Sequence, residues 1–305
     1  ATMAGEEVAE RPLSNRIYGN VREFACGSFA GVGLILAGHP FDTIKVRLQS
    51  EGGYGRFKGP VDCLVTTLKQ EKVFGLYKGA MGPLIGQGVV SSAQFGLYSK
   101  FLPVVQRDMS RKPTLAEVWA AAFCTGCFMW ILVTPMEGVK TRLQVQYSEQ
   151  HTGVKNRYKG TVDCYKAVYR EYGIRGLYKG AIPTVISRLS FSWYMWGYES
   201  SRRFLTSNSA DGKISPLATL VSGGVAGTVY WFSLYPFDVI KNKIMASPDA
   251  AVPKYKGMWD CGRQIYAKEG WKGFTRGFSV CLLRSLPANS MTFLFLEIAR
   301  KILPP

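Results

Sequence analysis

The chain is poor in charge, in acids and in histidine, and each shortage excludes something. Asp, Glu, Lys and Arg make up 19% of its 305 residues, against roughly 25% in a soluble globular chain. Acids are the scarcer sign, 21 Asp and Glu against 38 Lys and Arg, for a formal net charge of +17. Such an excess points to an anionic partner, nucleic acid or anionic lipid. No basic helix or aromatic stacking module is present, which excludes nucleic acid. The only histidines, His39 and His151, have neither metal-ligand spacing nor a nucleophile partner. The GQG at 86–88 lies inside an apolar run and is not a phosphate loop. An enzyme is therefore not expected, nor is a metal or cofactor. The seven cysteines give no disulfide framework: Cys26, Cys124, Cys127 and Cys281 fall in apolar runs, and the CxxC at 124–127 lacks a βαβ context. Residues 1–16 have mixed charge and no apolar run, and are expected to form a tail that is neither a secretory signal nor an Arg-rich presequence.

The missing charge is missing in blocks. Residues 24–41, 79–99, 118–136 and 214–237 contain no Asp, Glu, Lys or Arg. Residues 180–198 and 277–296 are as apolar, but each holds one arginine, Arg188 and Arg284. A hydrocarbon core of about 30 Å needs about 20 helical residues, so the pattern predicts six transmembrane helices. Strand alternation is absent from these stretches, which argues against a membrane barrel.

The blocks belong to a repeat. PFDTIKVRLQ begins at Pro40, PMEGVKTRLQ at Pro135 and PFDVIKNKIM at Pro236, each closing an apolar run. One Pro-x-acid-x-x-Lys match is weak, but three at one period of about a hundred residues are not chance. FKGPVDC, YKGTVDC and YKGMWDC follow in phase at 57–63, 158–164 and 255–261; GLYKG, GLYKG and GFTRG then open the even apolar runs at 75, 176 and 273. Each repeat reads as an apolar helix, the Pro motif, a loop, a short amphipathic helix and a second apolar helix. Small residues four apart, Gly27 and Gly31, Ala122 and Gly126, Gly223 and Gly227, precede each proline and would allow close helix approach in lipid. The segments 43–78, 138–179 and 239–276 hold more than half of the Lys and Arg, and alternating helices put all three on one side of the membrane.

The triplicated Pro-x-acid-x-x-Lys motif with its Lys-Gly elements resembles the mitochondrial carrier family over nearly the whole chain. The resemblance implies an all-α membrane protein: six transmembrane helices in three tandem repeats, a pseudo-threefold bundle with three short matrix-side amphipathic helices. The boundaries are 17–110, 111–210 and 211–305, forming one structural domain after the tail. It implies the mitochondrial inner membrane, with both termini on the intermembrane-space side, and a functional monomer that could also associate with a larger inner-membrane complex. It implies a matrix gate pairing Asp42 with Lys140, Glu137 with Lys241 and Asp238 with Lys45. Gln49 and Gln144 match the family's brace beneath those pairs, and Met245 departs from it. Glu199, Arg202, Glu297 and Arg300 match a cytosolic gate that repeat one lacks, so only Glu199–Arg300 would pair between repeats, and the cavity should open readily on that side. Cardiolipin is implied at Gly59, Gly79, Gly160, Gly180, Gly257 and Gly277, where helix starts present N–H groups beside a cation.

An ionisable residue inside a span is a candidate functional residue. Arg188 and Arg284 stand at mid-membrane depth, level with Gln87 and one turn from Val90 and Ser91, with Ser187 beside Arg188. The even helices offer no acid at this level, so two unpaired guanidinium groups would favour a small-molecule substrate bearing a carboxylate or phosphate. AGHPFDTIKVRLQS, TPMEGVKTRLQVQ and RSLPANSMTFLFLE are similar to the carnitine/acylcarnitine and basic amino-acid carriers, which implies exchange of such a metabolite. In that subgroup an acid follows the helix-four arginine; here Leu189 stands there, and 180–198 is one residue short. A di- or keto-carboxylate is the alternative substrate. A carrier-like subunit that no longer transports, built into a larger respiratory assembly, is the alternative function.

Overall fold

The computed structural model describes residues 13–51, 57–108, 110–146, 157–207, 216–247 and 254–302. All regular elements among them are helices. Repeat one supplies α1 (Leu13–Glu51), α2 (Pro60–Leu76) and α3 (Met81–Gln106). Repeat two supplies α4 (Leu115–Gln144), α5 (Thr161–Leu177), α6 (Ala181–Leu189) and α7 (Phe191–Ser207). Repeat three supplies α8 (Pro216–Ala246), α9 (Met258–Glu269), α10 (Lys272–Thr275) and α11 (Phe278–Ile302). Most of the expected tail, and His151, lie outside the described residues; α1 already begins at Leu13, inside that tail.

Six spans result: α1, α3, α4, the α6–α7 pair, α8 and α11. A thirty-residue helix such as α4 reaches about 45 Å at 1.5 Å per residue. Among the described residues, Leu115–Gln144 and Lys272–Ala299 are apolar enough to cross a membrane on composition alone. In the others, glycines, hydroxyls and motif charges dilute the apolar run. Large apolar side chains point outward, among them Phe128, Ile131, Ile182, Phe232 and Leu283, as a lipid-facing surface requires. Around the cavity α3 lies along α4, α4 along α7, α7 along α8 and α11 along α1, and α8 meets the start of α11 through Tyr235 and Phe278.

Pro40, Pro135 and Pro236 all sit within continuous helices. Below them each repeat builds the same small core. Cys63, Cys164 and Cys261 are completely buried and pack against Ile44 and Leu48, Val139 and Leu143, and Val239 and Ile240 respectively. The third residue of each amphipathic helix caps its start: Asp62, Asp163 and Asp260 accept from the backbone N–H of Lys58, Lys159 and Lys256 at 2.8–2.9 Å. The triplicated Asp-Cys pairs thus serve capping and packing.

Each amphipathic helix ends in a sharp reversal with one backbone geometry. Gly173 has φ 60°, ψ −155° and Gly270 has φ 61°, ψ −155°. Repeat one places Lys72 there, at φ 57°, ψ −161°, a region that essentially only glycine occupies without strain. Lys72→Gly should therefore stabilise the protein by about 1 kcal/mol, read as a higher melting temperature in detergent, whereas Gly173→Lys should lower it. Beside that reversal Glu71 is buried against Arg47 and Lys78 at 3.0 and 2.7 Å. Burial alone would raise its carboxyl, but these two cations outweigh burial and hold it below its ordinary range.

The small-residue pairs act unequally. A Cβ on Gly126 would meet the Arg188 carbonyl at 2.5 Å, so α4 and α6 touch backbone to backbone. Gly27, Gly223 and Gly227 have nothing within 4 Å of such an atom, and Gly31 only Gln87 at 3.8 Å. Close approach is real in repeat two alone. The α1–α11 contact is made instead by Gly33, where a Cβ would meet the Met291 carbonyl at 2.6 Å.

Candidate functional site

A central cavity of about 410 Å³ is lined from all six spans, by Asp42, Gln87, Glu137, Arg188, Asp238 and Arg284 among others. The motif prolines are followed two and five residues on by an acid and a lysine, and these six charges meet at one end of the cavity. Lys140 Nζ lies 2.8 Å from Asp42, Lys241 Nζ 2.9 Å from Glu137 and Lys45 Nζ 2.7 Å from Asp238. Each pair joins two repeats. Lys241 also reaches Asp238 within its own helix at 3.1 Å, so the third corner is the most connected.

The layer beneath is asymmetric. Gln144 donates to Thr43 Oγ1 at 3.1 Å, and Gln49 donates to the Tyr235 hydroxyl at 3.2 Å. Asn242 donates to Gln49 Oε1 at 2.6 Å and to Asp238 Oδ2 at 3.2 Å. Met245 is fully buried and packs against Gly180, whose φ of +84° needs glycine. Asn242 has no counterpart in the sequence expectations.

Arg188 and Arg284 do not stand unpaired, contrary to expectation. Arg188 Nη2 lies 3.1 Å from Glu137 Oε1, and Arg284 Nε lies 2.9 Å from Asp42 Oδ1. The even helices indeed offer no acid, but the motif acids of the odd helices α4 and α1 lie within an arginine's reach. Two of the three ring acids therefore hold one lysine and one arginine each. The third, Asp238, holds two lysines. Gln87 takes the place of an arginine on α3 and donates to Ser91 Oγ at 3.3 Å. Gln87, Val90, Ser91, Ser187, Arg188 and Arg284 all line the cavity. Ser187 Oγ, Arg188 Nε and Arg284 Nε are buried without a well-directed hydrogen bond, the Arg284–Asp42 contact being a close charge pair only, which is costly unless something else fills them.

Sequence reasoning missed the aromatic wall. Tyr230 and Trp231 face the cavity from α8, and Lys45 Nζ sits 4.3 Å over the Trp231 ring. The aromatic runs FSWYMWGY and VYWFSLY were the available signal. The residue missing from the fourth apolar stretch is also visible: α6 stops at Leu189, Ser190 turns, and α7 restarts at Phe191. The backbone stays helical across it: Ser190 has φ −64°, ψ −11°, and the Tyr194 N–H donates to its carbonyl at 3.3 Å.

At the opposite end the described ion pairs stay local. Glu199 is held by Arg202 at 2.8 Å and Arg203 at 2.7 Å, within its own helix. The Arg300 side chain lies outside the described residues. Glu297 is exposed. The Glu199–Arg300 pair expected from the sequence therefore lies outside the described residues.

Comparison with known proteins agrees with this geometry. The family described as mitochondrial carrier protein matches residues 18–109, 111–209 and 212–305. Mitochondrial substrate carrier family protein L of Dictyostelium discoideum is 44% identical over 93% of this chain and 96% of its own length. The human mitochondrial basic amino acids transporter is 38% identical over 89% and 87%. The mitochondrial carnitine/acylcarnitine carrier protein of Macaca fascicularis is 35% identical over 93% and 94%. Three matched repeats, six spans around one cavity and a ring of inter-repeat ion pairs lead to one conclusion: the chain belongs to the mitochondrial carrier family and is a membrane transporter, not an enzyme.

Proposed function

We propose that this carrier exchanges a small carboxylate-bearing metabolite across the mitochondrial inner membrane by alternating access through the central cavity. The observation that carries the reading is the charge balance of the site. Asp42, Glu137 and Asp238 face Lys45, Lys140, Lys241, Arg188 and Arg284, leaving two positive charges in excess among largely buried side chains. An anionic group bound there would draw the arginine forks from Glu137 and Asp42, and would fill the buried Arg188 Nε. The ring would then keep only its lysines at those two corners. Substrate binding thereby weakens the closed end, because the ligand contacts what holds that state shut.

The ring serves as the matrix gate, braced by Gln49 and Gln144, and both termini face the intermembrane space. Glu199, Arg202, Glu297 and Arg300 serve the cytosolic side. The grooves between repeats suit cardiolipin. Lys58, Gly59, Arg276 and Gly277 line one such groove, of about 550 Å³. Gly79 and Gly160 flank the second, where a Cβ on Gly82 would sit 3.7 Å from Thr161; Gly180 and Gly257 correspond at the third. Lys78 and Lys179 donate to the carbonyls of Gln146 and Ser247 at 2.6 and 2.7 Å, each in the neighbouring repeat. A monomer suffices for this function.

A thermal-shift screen of the purified protein tests the reading, because a ligand that favours one state stabilises it. Mono- and dicarboxylates, including amino acids and carnitine, should raise the melting temperature of the native protein. Stabilisation by neutral solutes alone would contradict the proposal.

A further inference from the structure

Beside the central cavity, and open to it, lies a second chamber of about 280 Å³ at the α6–α7 break. Its walls are Phe191 and Tyr194 from α7, Tyr230 and Trp231 from α8, and Phe95 from α3; Arg188 stands at the junction, lining both spaces. The rings support one another. Phe191 stacks on Tyr194 at 6.1 Å, Tyr194 meets Tyr230 edge-on at 6.3 Å, and Tyr230 meets Trp231 at 5.4 Å. Phe191 and Tyr194, just past the Ser190 turn, pack beside Tyr230 of α8 and form that wall. A cavity of roughly 150 Å³ with apolar walls already holds a benzene ring, so this one has room for a ring or a short branched chain.

We propose that this chamber receives an uncharged apolar arm of the substrate, aryl or branched alkyl, while the carboxylate sits between Arg188 and Arg284. The proposal rests on the carboxylate reading above and narrows it. The aromatic wall by itself would also suit a cation, but three observations speak for a neutral arm. Among the described residues no carboxylate lines the chamber. The nearest acid, Glu137, already has Arg188 on one oxygen and Lys241 on the other. The Trp231 face is already covered by the Lys45 ammonium. A guanidinium or ammonium arm would therefore enter beside Arg188 with no counter-ion, in an environment where an unpaired charge is costly. An apolar arm only removes water from rings.

Three probes that share one carboxylate head separate the possibilities: butyrate with no arm, 4-phenylbutyrate with an aryl arm, and 4-guanidinobutyrate with a cationic arm. Binding is read by ligand-induced thermal shift on the intact purified carrier. 4-Phenylbutyrate should bind at least tenfold more tightly than either of the others. Gly227→Leu should erase that advantage by filling the chamber; a Cβ at Gly227 meets nothing within 4 Å, and leucine favours helix over glycine, so the protein should fold. Preference for 4-guanidinobutyrate, or a phenylbutyrate advantage that survives in Gly227→Leu, would overturn the proposal while leaving the carboxylate reading intact. Binding of all three probes that is unchanged in Arg284→Ala would overturn both.

Discussion

Asp238→Asn should destabilise the closed carrier more than any other single neutralisation in the ring. Its side chain is 5% exposed, against 21% for Asp42 and 25% for Glu137. It holds Lys45 at 2.7 Å and Lys241 at 3.1 Å, and Asn242 and Gln49 also reach it. Neutralising it leaves the buried Lys45 ammonium without its ion pair and Lys241 with Glu137 alone, which already holds an arginine. Breaking a buried pair from one side costs about 3–5 kcal/mol, because the orphaned charge stays desolvated. A fall in melting temperature on the order of 10 °C follows for a chain of this size. Asp42→Asn should cost less, since water screens its more open site. Asp108→Asn, outside the bundle core, should cost almost nothing. Equal losses at Asp238 and Asp42 in a detergent melt would contradict the asymmetry of the ring.

Arg188→Ala and Arg284→Ala should split stability from binding. Each arginine is a second cation on an acid that keeps its lysine, Glu137 with Lys241 and Asp42 with Lys140. The ring therefore survives either loss, and the apoprotein should melt within a few degrees of the native protein. Carboxylate binding should suffer far more. A hydrogen bond to a charged group contributes about 1.5–3 kcal/mol, so losing one arginine fork should weaken binding by roughly a hundredfold. The double variant should show no ligand-induced shift. Lysine at either position should restore binding only in part, because an ammonium lacks the planar fork. A variant that binds normally but melts early would make these arginines part of the ring and nothing more.

The fold was legible because it is written three times. A proline, an acid and a lysine at fixed offsets specify where a helix bends and which charges share its inner face, so the ring partners could be named from spacing and resemblance together. The arginine pairing was not legible. Arg188 and Arg284 were compared with acids on neighbouring even helices, whereas their partners, Glu137 and Asp42, lie on the odd helices α4 and α1. Small-residue spacing also misled: Gly27 and Gly31 share the pattern of Ala122 and Gly126, yet only Gly126 meets a neighbouring backbone. Pattern shows which residues could permit contact, and the tilt of the partner helix decides which do. The shortened fourth stretch was visible as a count, but the aromatic chamber beside it, lined from α3, α7 and α8, needs three-dimensional packing. The helix ends opposite the ring were least legible. Glu199 finds two arginines on its own helix, a local choice that competes with any partner in another repeat.

The most direct test of the account is counter-exchange in proteoliposomes made with the purified protein. Vesicles preloaded with an unlabelled carboxylate that stabilises the carrier should take up the labelled compound rapidly. Uptake should fall to the protein-free baseline in the Arg188→Ala, Arg284→Ala double variant and stay normal in Lys72→Gly. Exchange that persists in the double variant would contradict the assignment of the site. Absence of exchange by the native protein, with a fixed partner co-migrating in mild detergent, would instead make the chain a structural subunit that keeps the carrier fold without its activity.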